Sequence, residues 1–342
     1  MLAAFWRRLS PGELKTEKAH RATHTATCSR FLEYHASPMN TPTSLPPAST
    51  DDTAIGQAPE AERISHSLAM AVCLRIVVVV QCFGLGGRYL FASLETESDV
   101  YGWLYFDCHW SESIAQLIDN MGALTTLFAG GVLCLNGLLI QKPMGDSSWS
   151  RVVGWLDRTA AVWIAIWMLL IAAAHMMRAA VFAELSLPEH AVRYIAPLAL
   201  AVCGGVGVAS CVSSARTRIA VIMLAVAASC TFAAHGYKAY QCYAPFIDLI
   251  LLSDMQWTNA GFTQATAEKL LVAIGIADIL VALVLLAFRS RIAAFYMVVW
   301  GLVTAASRMT ALGMEAWPET LIRIANGGVP LVILIHWTTK RK

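Results

Sequence analysis

The chain reads as an all-α, polytopic membrane protein, with about eight transmembrane helices arranged as two parallel four-helix repeats behind a disordered N-terminal tail. Three observations lead there. Of its 342 residues 57% are hydrophobic and 14% charged, where an average soluble chain carries roughly 25% charged residues; with a mean hydropathy of +0.57, an ordinary water-soluble fold is excluded. Eight apolar runs follow the tail, each of a length to cross about 30 Å of hydrocarbon. Short motifs also recur in the same order in the two halves.

Residues 1–65 differ from the rest of the chain: they are rich in Ser, Thr, Pro and Ala (MNTPTSLPPAST), carry mixed charge and show no sustained periodicity. Such a segment is expected to be disordered. Its opening, MLAAFWRR, places a short apolar stretch ahead of the arginines, which is neither a secretory nor a twin-arginine signal. Met39 is a second candidate start.

The apolar runs lie at about Leu68–Phe91, Ile114–Ile140, Thr159–Met177, Val192–Ser213, Ile219–Ala239, Leu270–Phe288, Ile292–Leu312 and Leu321–Trp337. Hydrocarbon offers no hydrogen-bond partner, so runs of this length are helical unless they close a barrel, and they lack the alternation a barrel needs. Basic residues set the orientation. Lys142, Arg151 and Arg158, then Arg216 and Arg218, then Arg289 and Arg291, then Lys340, Arg341 and Lys342 mark junctions expected on the cytoplasmic side, with both termini. Arg158 to His175, Arg218 to His235, Arg291 to Arg308 and Arg323 to Lys340 are each 17 residues apart. At about 1.5 Å per residue, these pairs bracket single crossings.

Leu187-Pro188-Glu189-x-x-x-Arg193 and Trp317-Pro318-Glu319-x-x-x-Arg323 are offset by 130 residues, and each precedes a run with a later proline, Pro197 or Pro330. Asp107-x-x-Trp110-Ser and Asp254-x-x-Trp257-Thr are offset by 147, Gly86-x-Arg88 and Gly236-x-Lys238 by 150. Ordered matches of this kind indicate a tandem duplication, with units at about 66–213 and 214–342. Four crossings return the chain to its starting side, so the units insert facing the same way, and a groove between them is the natural place for a site.

The span ending Gly236-x-Lys238, the Gly275-x-x-Asp278 of the next, the Thr304-Ala-Ala-Ser-Arg308 that ends the third and the Pro330 of the fourth are the residues that carry a resemblance. On them the second half resembles the DoxX-like four-helix membrane family. The resemblance implies a four-helix bundle, with some relatives tied to quinone-dependent oxidoreductase complexes and many without assigned activity. This chain departs from the pattern in fusing two units behind a long tail, and in bearing Thr125 in the first unit where the second has Asp278.

Ionisable groups at membrane depth are costly unless paired or hydrated, which makes them functional candidates. Asp278 lies about two turns into its span, and Arg308, near the outer end of the following one, is within reach of it. The functional reading is a proton or quinol-oxygen partner at Asp278; the structural reading is an interhelical ion pair or hydrogen bond that orients two helices. His175 and His235 should lie at similar depths near the outer face and, with Lys238, complete the candidate set. Two such imidazoles are a haem or metal motif only if their helices face each other, so no metal is assigned and haem is disfavoured, while a quinone remains open as cofactor. Arg75 must snorkel, find an acid or mark a helix boundary. Asp119 reads as an interfacial acid.

The Pro-Glu-x-x-x-Arg motif reads first as a helix start, with proline in the opening turn, glutamate at the positive dipole end and an i,i+4 surface pair. Trp110 and Trp257 read as interfacial anchors. The nine cysteines contain no C-x-x-C; six are expected to act as small hydrophobes, and a bond between Cys108 and Cys242 is an open alternative. A net charge of +2 without a basic stripe argues against nucleic acid.

Three functions follow: a redox- or quinone-associated membrane subunit using Asp278, Arg308, His235 and Lys238; a small-solute or proton-coupled carrier; or a non-catalytic scaffold for partner subunits. The bilayer is the expected environment, a bacterial inner membrane the expected location. Neither substrate nor reaction is legible, and enzyme status stays open.

Overall fold

The structure, a computed structural model, describes residues 58–90, 98–139, 148–179, 181–204 and 214–339. Residues 1–57 of the expected tail lie outside the described residues, as do the basic positions Lys142, Lys340, Arg341 and Lys342 and the thiol of Cys211. Among the described residues every regular element is a helix.

The first half comprises α1 (Ala58–Leu90), a short α2 (Asp99–Gly102) running into a π turn (Trp103–Asp107), α3 (Glu112–Leu139), α4 (Ser148–Arg178), a 3-10 turn (Ala183–Leu185), a short α5 (Ser186–Glu189) and α6 (Ala191–Cys203). In the second half come α7 (Ser214–Tyr240), α8 (Ala244–Ser253) with its π turn (Asp254–Thr258), α9 (Gln264–Phe288), α10 (Arg291–Leu312), a 3-10 turn (Met314–Ala316), α11 (Trp317–Ile322) and α12 (Ala325–Thr339). The same succession thus occurs twice.

Among the described residues six helices are long and apolar enough to cross a membrane: Leu68–Arg88, Glu112–Leu138, Arg151–Arg178, Ala215–Tyr240, Gln264–Phe288 and Arg291–Leu312. The eighth expected run is not one straight rod. Met314–Ile322 and Ala325–Thr338 meet at a 45° bend, because Arg323 and Ile324 form a turn in which Arg323 N–H reaches back to Glu319 O and Thr320 O. The fourth run is seen as α6, 13 residues long, and its continuation beyond Gly204 lies outside the described residues. α1 begins at Ala58, ahead of the expected boundary at residue 65, since Pro59 falls in the first turn, where a missing N–H costs nothing.

Caps and turns explain the other boundaries. Thr263 and Ser290 accept hydrogen bonds from Thr266 N–H and Ala293 N–H at the starts of α9 and α10. Gly313, with φ +87°, ends α10 in a backbone conformation that L side chains rarely adopt. Left-handed Asn259 caps the second π turn, and left-handed His109 stands two residues past the end of the first. Asp107 is the last residue of its turn and Asp254 the first, so the Asp-x-x-Trp likeness joins positions that differ structurally.

In each half the first helix packs on the second long one, α1 on α3 and α7 on α9, and the third packs on the proline-bearing last one, α4 on α6 and α10 on α12. The halves join through exchanged contacts: α7 packs on α6 and α1 on α11 and α12. One continuous apolar core runs through both, with Leu74, Val78, Leu133, Ile164, Leu224, Leu285, Met297 and Ile333 fully buried. The halves differ at one place. α3 and α4 pack along each other, whereas α9 and α10 touch little and α8 lies against both.

Candidate functional site

The spreading of α9 from α10 leaves a chamber of about 650 Å³, within the roughly 300–1,000 Å³ range of pockets that enclose drug-sized ligands. α7, α8, α9, α10 and α12 supply its walls, and Arg323 enters from the turn between α11 and α12. Phe232, Leu249, Ile250, Leu271, Ile274 and Val303 make most of the lining apolar. His235, Arg308, Arg323, Asp278, Ser307 and Asn326 supply polar groups.

α7 and α9 can approach closely at this level because Gly236 faces Gly275. A Cβ on Gly275 would come 2.5 Å from Gly236 O, and one on Gly236 would lie 2.9 Å from Gly275 O. That crossing carries Asp278, one turn beyond Gly275, into the chamber wall. Its carboxylate is 4% exposed and accepts hydrogen bonds from Tyr296 Oη at 3.1 Å and Trp300 Nε1 at 3.3 Å, both on α10. The expected partner Arg308 lines the same chamber without pairing with it. In the first half the matching contact is Trp163 Nε1 donating to Thr125 Oγ1 at 3.2 Å. An aromatic donor on the third long helix thus holds a polar residue on the second in both halves.

Arg308 belongs instead to a cluster of charges where the halves meet. Glu189 pairs with Lys238 and, at 3.9 Å, with His235 Nδ1. Glu319 pairs with Arg88 at 3.3 Å and with Arg323. Each glutamate of the repeated Pro-Glu motif therefore binds the Gly-x-Arg or Gly-x-Lys cation of the other half. The same exchange recurs two turns below: Thr231 on α7 donates to Pro188 O at 3.2 Å, and Gln81 on α1 to Ile322 O at 3.4 Å. Sequence reasoning assigned this motif to a helix start with a surface i,i+4 pair. The Glu319–Arg323 pair does form, but the motif lies at the junction between the halves and is largely buried.

Of the other candidates, Lys238 is 2% exposed and lies outside the chamber, against Glu189 and 5.2 Å from the Tyr243 ring centroid. His235 stacks on Phe246 and keeps a buried Nε2 without a partner. His175 is in the first half, where its Nδ1 meets Asp99 at 3.0 Å and its ring meets His190 edge-on. The structure thus brings Asp278, Arg308 and His235 to one chamber and leaves Lys238 and His175 outside it. Among the described residues no group of three His, Cys, Asp or Glu side chains is placed to hold a metal ion. Cys108 and Cys242 are free thiols, which removes the bond left open between them.

Two acids with special roles were missed in the sequence. Asp157, hidden among the basic residues of its junction, is the partner Arg75 requires. Arg75 Nη2 pairs with Asp157 Oδ2, Nη1 donates to Leu133 O at 2.6 Å, and Asn136 Nδ2 donates to Asp157 at 2.8 Å. The signal was Arg75 itself, a cation inside an apolar run with no acid on its own helix face. Asp254, read only as the acid of its Asp-x-x-Trp motif, folds its own loop: it accepts from Thr258 Oγ1 and, at 2.8 Å each, from the N–H groups of Ala260 and Phe262. The Thr258 hydroxyl, then the Phe262 N–H, hold its carboxyl below the usual carboxylate range.

No family model matches this chain, and neither does any curated protein or solved structure. The DoxX-like resemblance therefore gains no support from comparison.

Proposed function

We propose that this polytopic membrane protein binds a small amphipathic molecule in the chamber of its second half. The chamber is the observation that carries the reading: an apolar volume of about 650 Å³ walled by α7 to α10 and α12, into which the buried side chains of His235 and Arg308 bring unpartnered nitrogen atoms. Buried polar atoms are ordinarily paired. A ligand bound in this half-open chamber pairs them, which favours a binding protein over a pure scaffold.

The reading takes the two halves as a tandem duplication inserted with one orientation, termini on the cytoplasmic side of a bacterial inner membrane. The twice-used element order and the exchanged ion pairs support the duplication. The second unit stands open between α9 and α10, where the first is packed between α3 and α4. Whether the occupant undergoes redox chemistry, as a quinone would, or is carried across, the chamber comes first. Carriage coupled to protons has one specific support, the ionisable Asp278 in the wall.

The test is thermal unfolding of the protein in phosphatidylcholine nanodiscs with dodecanol, dodecanoate or a decyl-chain benzoquinone. At least one should raise the unfolding temperature, and Thr304→Phe, which fills the chamber from α10, should abolish the rise. If none of the three raises it, or Thr304→Phe responds like the parent, the proposal fails.

A further inference from the structure

We infer that the chamber's occupant carries an oxyanion head, a carboxylate or a phosphate, on an apolar chain, and that Arg308 and Arg323 bind the head. This rests on the reading of the chamber as a ligand site and names the class of ligand.

The charge inventory gives the reason. Five cations, Arg88, Arg193, Lys238, Arg308 and Arg323, meet two carboxylates, Glu189 and Glu319, at the junction of the halves. Lys238 engages Glu189, and Arg88 and Arg323 share Glu319. Among the described residues no carboxylate stands within ion-pair distance of Arg308 or Arg193, and the buried Nε of each lacks a hydrogen-bond partner. The acids in the chamber wall do not supply the missing charge. Asp278 is turned to Tyr296 and Trp300, and both oxygens of Asp254 are turned to its own loop. His235 adds a further unpartnered nitrogen on the same side.

A low-polarity site with surplus guanidinium charge selects an anion, and the planar fork of arginine suits the paired oxygens of carboxylate or phosphate. A cation would meet repulsion there, and a neutral molecule would leave the charge uncompensated. Beyond the arginines the walls are Phe232, Leu249, Ile250, Leu271, Ile274 and Val303, which give a free inorganic ion nothing to bind and an alkyl chain an apolar enclosure.

The experiment is isothermal calorimetry on the full chain in phosphatidylcholine nanodiscs, with empty discs subtracted and four probes: dodecanoate, dodecyl phosphate, dodecanol and inorganic phosphate. The two anionic amphiphiles should bind at least about tenfold more tightly than dodecanol, the factor expected for one charge-assisted hydrogen bond, and inorganic phosphate should bind far more weakly than dodecyl phosphate. Arg308→Gln should remove that preference, and a helical circular dichroism spectrum and unfolding temperature like the parent's show that the variant is folded. Arg308→Lys, which keeps the charge and loses the fork, should retain part of it. Equal affinity for dodecanol and dodecanoate, or a preference that survives Arg308→Gln, overturns the inference while the amphiphile-binding chamber stands. Inorganic phosphate binding as tightly as dodecyl phosphate overturns it too, by showing a simple anion site. If no chain-bearing probe binds, the inference and the proposed function fall together.

Discussion

Arg75 and Asp157 show how a residue-scale anomaly in the sequence resolves. A guanidinium inside an apolar run demands a partner, and three helices deliver one: α1 the cation, α4 the acid, and α3 the Leu133 carbonyl and the Asn136 amide. With both side chains almost wholly buried, removing one leaves the other uncompensated. Asp157→Asn is therefore expected to lower the unfolding free energy by about 3–5 kcal/mol, measured by chemical denaturation in detergent micelles. Arg75→Met combined with Asp157→Leu should recover most of that loss. A single variant as stable as the parent would show that the pair is solvated rather than buried. Asp157 was illegible beforehand because sequence places it beside Arg158 in a basic junction, and depth along one helix says nothing about which neighbour it faces.

At the scale of elements, glycines decide how near two helices come. Gly275 and Gly236 let α7 and α9 meet backbone to backbone, and this contact sets the depth and direction of Asp278 in the chamber wall. Gly275→Ala is expected to cost about 1–3 kcal/mol through overpacking. At Gly131, on α3, no atom lies within 4 Å of where an added methyl would stand, so Gly131→Ala should instead add about 0.5–1 kcal/mol through helix propensity. Thermal unfolding of both variants, referred to the parent, reads the two signs; a loss at Gly131 as large as at Gly275 would remove the close crossing as the explanation. The helices themselves were legible from apolar run length, because lipid leaves the backbone no alternative to internal hydrogen bonding. Their breaks were legible only in part. Pro188 and Pro318 marked helix starts, yet the 45° bend between α11 and α12 falls at Arg323–Ile324, where no proline stands.

For the whole molecule, the question is what ties the halves together. Glu189 and Glu319 each reach a cation that the other half supplies, so the coupling should follow the crossed pattern. A double-mutant cycle of Glu189→Gln with Lys238→Met, read by unfolding free energy, is expected to give an interaction of about 0.5–3 kcal/mol, while Glu189→Gln with Arg88→Met should be additive to within about 0.5 kcal/mol. Equal coupling in both cycles would show a diffuse charge cloud in place of two defined exchanges.

Much of this architecture follows from the chain alone. The apolar runs and the spacing of 17 residues between bracketing charges specify helical crossings, because burial in lipid constrains composition residue by residue. Tertiary structure decided which polar groups share a space. It turned Asp278 to Tyr296 and Trp300, set Lys238 against Glu189, sent His175 to Asp99, and left Arg308 facing a chamber without an acid to pair with it. Those pairings depend on helix rotation and on how far α9 stands from α10, which arise from side-chain packing across elements distant in sequence and leave no periodic mark within any one of them.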